Sequence, residues 1–214
     1  MSDDEEGLSV KVTLLGNSGV GKTCIIKRYT DNEFDPQTVP TPGASYSQKI
    51  VIINNKSITL DVWDTAGQEQ YRSLGRHFYK DSFIVCLVYD ITNRESFEDL
   101  KTWYNDLKEY GEKNVITAVV GNKSDCYEEE VIKEEEGRKY AEEINSKYFL
   151  VSAKEGDNIE LLFNTLAQDF MGPEFTEKMR ETIHEKGLEE EKNIKVKKEE
   201  IKKKKKKKML LIII

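Results

Sequence analysis

Two stretches of this 214-residue chain could do chemistry together: Gly16-Asn17-Ser18-Gly19-Val20-Gly21-Lys22-Thr23 and Asn122-Lys123-Ser124-Asp125. The first is a complete G-x-x-x-x-G-K-[ST] pattern. Its glycines let backbone N–H groups curl around phosphate oxygens, and a helix beginning near Lys22 adds its positive end. Lys22 is placed to bridge β- and γ-phosphates, and the Thr23 hydroxyl to ligate Mg²⁺. Ser18, Val20 and Cys24 complete the phosphate-side set. An accidental glycine-rich turn is the competing reading, and so complete a match between strand and helix disfavours it.

The second stretch selects the base. In a closed pocket the Asp125 carboxylate accepts hydrogen bonds from guanine N1 and N2, whereas adenine presents a lone pair at N1. Leaving such a group unpaired separates ligands by roughly 10⁴-fold or more. Asn122 is expected to hold the base and tie loops together, with the Lys123 stem along the purine plane. Ser152-Ala153-Lys154 follows, its Ala153 N–H a candidate donor to guanine O6. Three residues alone are a weak signal, and their position after the last predicted strand makes them informative.

Between these lie residues suited to a terminal phosphate. Asp64 ends a strand and is expected to hold the metal through water; Gly67 allows its N–H to approach the γ-phosphate; Gln68 follows and is a candidate to orient a water. Thr41, nineteen residues after Lys22, is the candidate second hydroxyl ligand, so the metal set is Thr23, Thr41 and Asp64. Phe34, twelve residues after Lys22, is either a ring edge against guanine or a loop aromatic tucked into the core. His77 and His184 have no partners at catalytic spacing, and Arg72 and Arg76 read as solvated helix residues.

The elements that position these groups alternate. Val10–Leu15 reads as a short buried strand, Tyr148–Val151 as the last strand, and Phe83–Tyr89 and Val115–Val120 as two more. Near-continuous apolar runs of this kind belong to strands covered on both faces. Tyr46–Ile53 and Ile58–Trp63 read as a hairpin turning at Asn54-Asn55. Helices are expected at Lys22–Thr30, through Phe97, Leu100, Trp103 or Tyr104 and Leu107, and at Ile159–Phe170. The pattern predicts a three-layer α/β domain with a mostly parallel sheet and one antiparallel edge strand, its motifs gathered at the carboxyl ends of the strands.

Composition frames the tail. Hydrophobic content is 37%, charged content 34% and net charge −7. From Lys192 onward eleven lysines face only Glu199 and Glu200, so residues 1–191 carry about −16. So acidic a body excludes general nucleic-acid binding. The Lys202–Lys208 run, followed by apolar Met209–Ile214, suits an anionic membrane surface, at about 1 kcal/mol per lysine. An A/T-rich terminus read in error is the competing account. Cys24, Cys86 and Cys126 show no metal-ligand spacing and are expected to be buried free thiols in a reducing, cytosolic setting. Met1–Gly7 lacks the order of a signal peptide, and no stretch reaches the roughly 18 apolar residues of a bilayer span.

In their order and spacing these motifs resemble the Ras superfamily of small GTPases over residues 8 to 172, and the Rab branch in particular. The Rab likeness rests on Leu87-Val88-Tyr89-Asp90-Ile91-Thr92, on Trp63-Asp64-Thr65-Ala66-Gly67-Gln68-Glu69 with Tyr71-Arg72-Ser73-Leu74, and on the twenty-three-residue gap from Thr41 to Asp64. The resemblance implies a P-loop NTPase G domain with a six-stranded sheet at 8–172, an acidic extension at 1–7 and a hypervariable charged tail at 173–214. It implies a GTP/GDP switch in vesicle trafficking that uses Mg²⁺ and hydrolyses GTP slowly. Lys22, Thr41, Gly67 and Gln68 would be its catalytic residues. Implied partners are an exchange factor, an activating protein and effectors docking on Tyr46, Trp63 and Phe78, unless those rings merely pack the hairpin onto a neighbouring helix. A GTP-binding scaffold that scarcely hydrolyses, and a nuclear-transport-type GTPase, are the alternatives.

The chain departs from the Rab pattern in three places. Thr41-Pro42-Gly43-Ala44-Ser45-Tyr46 replaces Thr-Ile-Gly-Val-Asp-Phe, where Pro42 biases Thr41 toward extended geometry, leaves its N–H intact and stiffens the off-state loop. Phe78-Tyr79-Lys80-Asp81-Ser82 replaces Tyr-Tyr-Arg-Gly-Ala, which implies altered effector recognition. No cysteine follows Cys126, so the usual C-terminal prenylation has no acceptor on this chain.

Overall fold

The computed structural model describes residues 8–37, 41, 44–65 and 80–173. Among them, β1 (Leu8–Leu15) enters the phosphate loop and α1 (Lys22–Asp31) leaves it. The hairpin is β2 (Ala44–Ile53) and β3 (Lys56–Thr65), and its turn residues Asn54 and Asn55 take φ of 51° and 62°. Asparagine tolerates this left-handed region, which is why the Asn-Asn pair closes the turn. Then come β4 (Ile84–Asp90), α2 (Arg94–Glu98), α3 (Leu100–Tyr110), β5 (Ile116–Asn122), α4 (Glu134–Glu143), β6 (Lys147–Leu150) and α5 (Ile159–Phe170).

The sheet runs β2-β3-β1-β4-β5-β6, antiparallel only between β2 and β3. All seven residues of β4 are buried. On one face Val85, Leu87 and Tyr89 pack with Leu100, Trp103, Leu107 and Ala141. On the hairpin side α1 and α5 touch each other and β2, and Tyr29 stacks on Phe163 with centroids 3.9 Å apart. The expected α/β class holds, a mostly parallel six-stranded sheet with one antiparallel edge strand.

One expectation needs revision. The helical stretch between β4 and β5 starts at Asn93, which caps α2 by accepting from Ser96 N–H, and divides at Asp99 into α2 and α3. Trp103, rather than Tyr104, fills the core position. Helix α4 was not anticipated. Its buried positions are only Gly137 and Ala141, so no apolar period marks it. Three glutamates in its first turn suit the positive helix end instead.

Candidate functional site

The strands β1, β3, β4 and β5 all end at one edge, and the loops that leave them surround a cavity of about 430 Å³. Ser18, Gly19, Gly21, Lys22, Thr23 and Cys24 line its phosphate-loop side. Asn122, Lys123, Asp125, Ala153 and Lys154 line it as well, together with Phe34 and Thr41. Residues more than a hundred positions apart thus meet in one cleft. Val20 and Ser152 stand behind this lining, both buried. Gly67, Gln68, Phe78, Arg72, Arg76, His77 and His184 lie outside the described residues.

Close approach of backbone demands two of the loop glycines. A Cβ on Gly16 would sit 2.1 Å from Val88 O, and one on Gly21 would sit 2.3 Å from Asn122 Nδ2. Gly21 also takes φ of 95°, which lets the loop turn into α1. Asn122 joins three loops through this gap. Its Nδ2 donates to Val20 O at 2.8 Å and its Oδ1 accepts from Ala153 N–H at 3.1 Å. The tie expected of Asn122 is therefore present. The Ala153 N–H expected to read guanine O6 is engaged by Asn122 in this structure.

Lys22 is only 5% exposed. Its ammonium donates to Gly16 O at 2.7 Å and to Asn17 O at 2.9 Å. Burial lowers its pKa from 10.5 to about 8, with Asp64 pulling the other way. The two loop carbonyls occupy donors that sequence reasoning assigned to phosphates.

Asp64 ends β3 and is 2% exposed. Its Oδ2 accepts from Thr23 Oγ1 at 2.6 Å and from Thr41 Oγ1 at 3.0 Å. The two threonine hydroxyls are 3.0 Å apart. Asp64 Oδ1 is buried without a hydrogen-bond partner among the described residues. A buried carboxylate oxygen left unpaired is costly. Hard oxygen donors converging beside an orphaned carboxylate oxygen fit a Mg²⁺ ion, whose preference is for such ligands.

On the base side Asp125 Oδ1 accepts from Ser152 Oγ at 2.6 Å, and Lys154 Nζ lies 3.5 Å from Oδ2. Burial would raise the Asp125 pKa, but the Ser152 hydroxyl, its own backbone amide, the Cys126 thiol and Lys154 together lower it. The group is therefore a fixed anion at neutral pH, able to accept two donors. Lys123 takes φ of 69°, and its ammonium pairs with Asp90 at 2.6 Å. That anchor holds the Lys123 stem and leaves no free charge at its tip. Phe34 is half-buried and lines the cavity, which excludes the core-filling alternative.

Cys86 is fully buried, its thiol pushed up to about 12 by burial. Cys24 and Cys126 are half-buried at the cavity wall, contrary to the expectation of three buried thiols. Tyr46 and Trp63 pair across the hairpin with centroids 5.3 Å apart. The Tyr46 hydroxyl and Gln48 Nε2 each donate to Asp61 Oδ1 at 2.8 Å, and Ser9 also donates to Asp61.

Three residues escaped sequence reasoning. Asn17 occupies a variable position of the loop pattern, yet its Oδ1 accepts from Trp103 Nε1 at 2.9 Å and its Nδ2 donates to Asp99 at 2.6 Å. Asp90 anchors Lys123 from the end of β4. Arg28 reaches from α1 to Ala153 and Lys154. Each acts through contacts far apart in sequence, which no local spacing announces.

A profile described as the Ras family matches residues 11–172. Ras-related protein Rab-26 of Rattus norvegicus is 38% identical over 163 residues, 76% of this chain and 63% of Rab-26. Ras-related protein Rab-30 of Homo sapiens is 40% identical over 167 residues, covering 78% of this chain and 82% of Rab-30. Ras-related protein RabC of Dictyostelium discoideum is 40% identical over 169 residues, covering 77% and 85%. The chain thus spans a little under two thirds of Rab-26 and more than four fifths of Rab-30 and RabC. No described helix is long and apolar enough to cross a membrane.

Proposed function

The chain belongs to the Ras family of small GTPases, and on that premise we propose that it is a Rab-like GTP/GDP switch that hydrolyses GTP and regulates vesicle trafficking. The observation that carries the reading is the single cavity in which Lys22 and Asp125 face the same volume. One end suits polyphosphate and the other suits the donor edge of guanine. Similarity to Rab proteins supports the trafficking role.

In this reading guanine N1 and N2 donate to Asp125, and the Ala153 N–H shares its proton between Asn122 Oδ1 and guanine O6. The phosphates draw Lys22 from its loop carbonyls onto the β- and γ-oxygens. Thr23, Thr41 and Asp64 would hold Mg²⁺, which would supply charge neutralisation at the phosphates. Hydrolysis is in-line attack of water on the γ-phosphorus, the bond to the β–γ bridging oxygen breaking as the new P–O bond forms. Gln68 orients that water, and the Gly67 N–H contacts the γ-phosphate. Loss of the γ-phosphate then removes what holds Thr41 and Gly67, which resets the switch.

An exchange factor, an activating protein and effectors reading Tyr46, Trp63 and Phe78 are the partner classes this role requires. The lysine run gives the tail an affinity for anionic membrane on the cytosolic side.

Single-turnover hydrolysis tests the proposal. Purified protein loaded with GTP is expected to release phosphate slowly, and Gln68→Leu to bind GTP equally while releasing phosphate at least about tenfold more slowly. Binding without any turnover in either protein would leave a nucleotide-locked scaffold instead. Equal retention of ATP and GTP would remove the guanine reading altogether.

A further inference from the structure

The Arg28 guanidinium holds the base-reading loop from behind. It lies on α1, seven residues after the phosphate loop's Gly21, and is half-buried. Its Nε donates to Ala153 O at 2.9 Å and its Nη2 to Lys154 O at 2.6 Å. Its Nη1 donates to Asn32 O at 2.9 Å and reaches Asn32 Oδ1 at 3.2 Å. Asn32 is the left-handed cap of α1, two residues before Phe34.

The fork geometry matters here. A planar guanidinium presents donors in fixed directions, so two successive carbonyls can be held only with their peptide planes oriented together. The Ala153 and Lys154 carbonyls thus point towards α1. The Ala153 N–H, on the preceding peptide unit, donates to Asn122 Oδ1, so the guanidinium grip on its carbonyl and the amide tie together leave Ala153 little freedom to turn. The same cation holds the backbone that leads to Phe34.

We infer that Arg28 is a specificity-positioning residue: by holding the Ala153 and Lys154 carbonyls it aims the Ala153 N–H at the 6-position of the purine. The inference rests on the proposed guanine reading and deepens it. A residue that merely capped α1 through Asn32 would weaken all nucleotides alike. A residue that aims one N–H affects only ligands with an acceptor at that position.

The test compares GDP with 6-thioguanosine 5′-diphosphate, which keeps the N1 and N2 donors for Asp125 and replaces O6 with a poorly accepting sulfur. Affinities are measured by competition in the full chain and in Arg28→Ala. The full chain is expected to prefer GDP by about fivefold or more, since the sulfur accepts from the Ala153 N–H more weakly than O6 and leaves it to Asn122 Oδ1 alone. In Arg28→Ala that preference is expected to collapse to within about twofold, whatever the absolute affinities. A preference that survives in Arg28→Ala overturns the inference and leaves the guanine reading standing. Equal binding of both ligands by the unmutated chain overturns the Ala153 contact and the inference with it. Should Arg28→Ala fail to fold, Arg28→Lys makes the same comparison, because an ammonium cannot span two carbonyls with a rigid fork. A narrowed ratio there supports the inference, and an unchanged one overturns it.

Discussion

Raising the pH above neutrality is expected to weaken nucleotide binding through Lys22. In the nucleotide-free protein burial brings this ammonium to a pKa of about 8, against 10.5 in an unfolded chain. A polyphosphate beside it stabilises the charged form and moves the pKa of the complex back up. Between those two values the complex holds more protons than the free protein, so affinity falls as pH rises. From pH 7 to pH 9 the free protein passes from about nine-tenths to about one-tenth charged at Lys22, so the Kd for GDP rises about tenfold, or about 1.4 kcal/mol. Titration calorimetry at fixed free magnesium measures it directly. In two buffers of different ionisation enthalpy, binding at pH 8.5 is expected to take up about three-quarters of a proton. Stability of the nucleotide-free protein carries the opposite sign. There the unfolded chain binds the extra proton between about pH 8 and 10.5, so folding gains stability as pH rises through that window. A Kd constant within twofold from pH 7 to 9, with no proton uptake, would refute the reasoning.

Two further outcomes follow from the cavity walls. Asp125→Asn is expected to lower GDP affinity by about 100-fold or more and to improve binding of xanthosine diphosphate, whose C2 carbonyl accepts from the new amide. Unchanged GDP affinity by competition would dismiss Asp125 as the base reader. Chelating magnesium is expected to speed GDP release from the native protein by about tenfold or more, and to do little to Asp64→Asn, which has already lost the ligand charge. Stopped-flow release traces that respond equally in both proteins would separate Asp64 from the metal.

Much of this architecture was legible because its signals are local. Asn54-Asn55 named a hairpin turn through a backbone preference of asparagine. Ile159, Leu162, Phe163, Leu166 and Phe170 marked one face of α5, and all five are buried. The phosphate loop, Asp64, Thr41 and the Asn122–Asp125 stretch were recognisable by type and spacing, and those described do border or back one cleft. What stayed hidden depends on tertiary contact. Helix α4 turns small residues to the core and covers the rest with charge, so its pattern resembles a solvated loop. Arg28 is separated by 125 residues from Ala153 and Asn17 by 86 from Trp103, and only the folded sheet brings them together. Resting partners were equally invisible: Lys22 on its own loop carbonyls and Ala153 N–H on Asn122 are choices made within the folded cleft.

The Tyr46–Asp61 pair also limits what can lie against the outer side of the hairpin. Where the Rab pattern carries phenylalanine, this chain carries a phenol whose hydroxyl, with Gln48 and Ser9, converges on one carboxylate. A wholly greasy surface closing over the two rings would strand that anion away from water at a cost of several kcal/mol. A visitor offering an amide or guanidinium at the same spot would meet a ready acceptor. The hairpin thus discriminates by polarity as well as by shape.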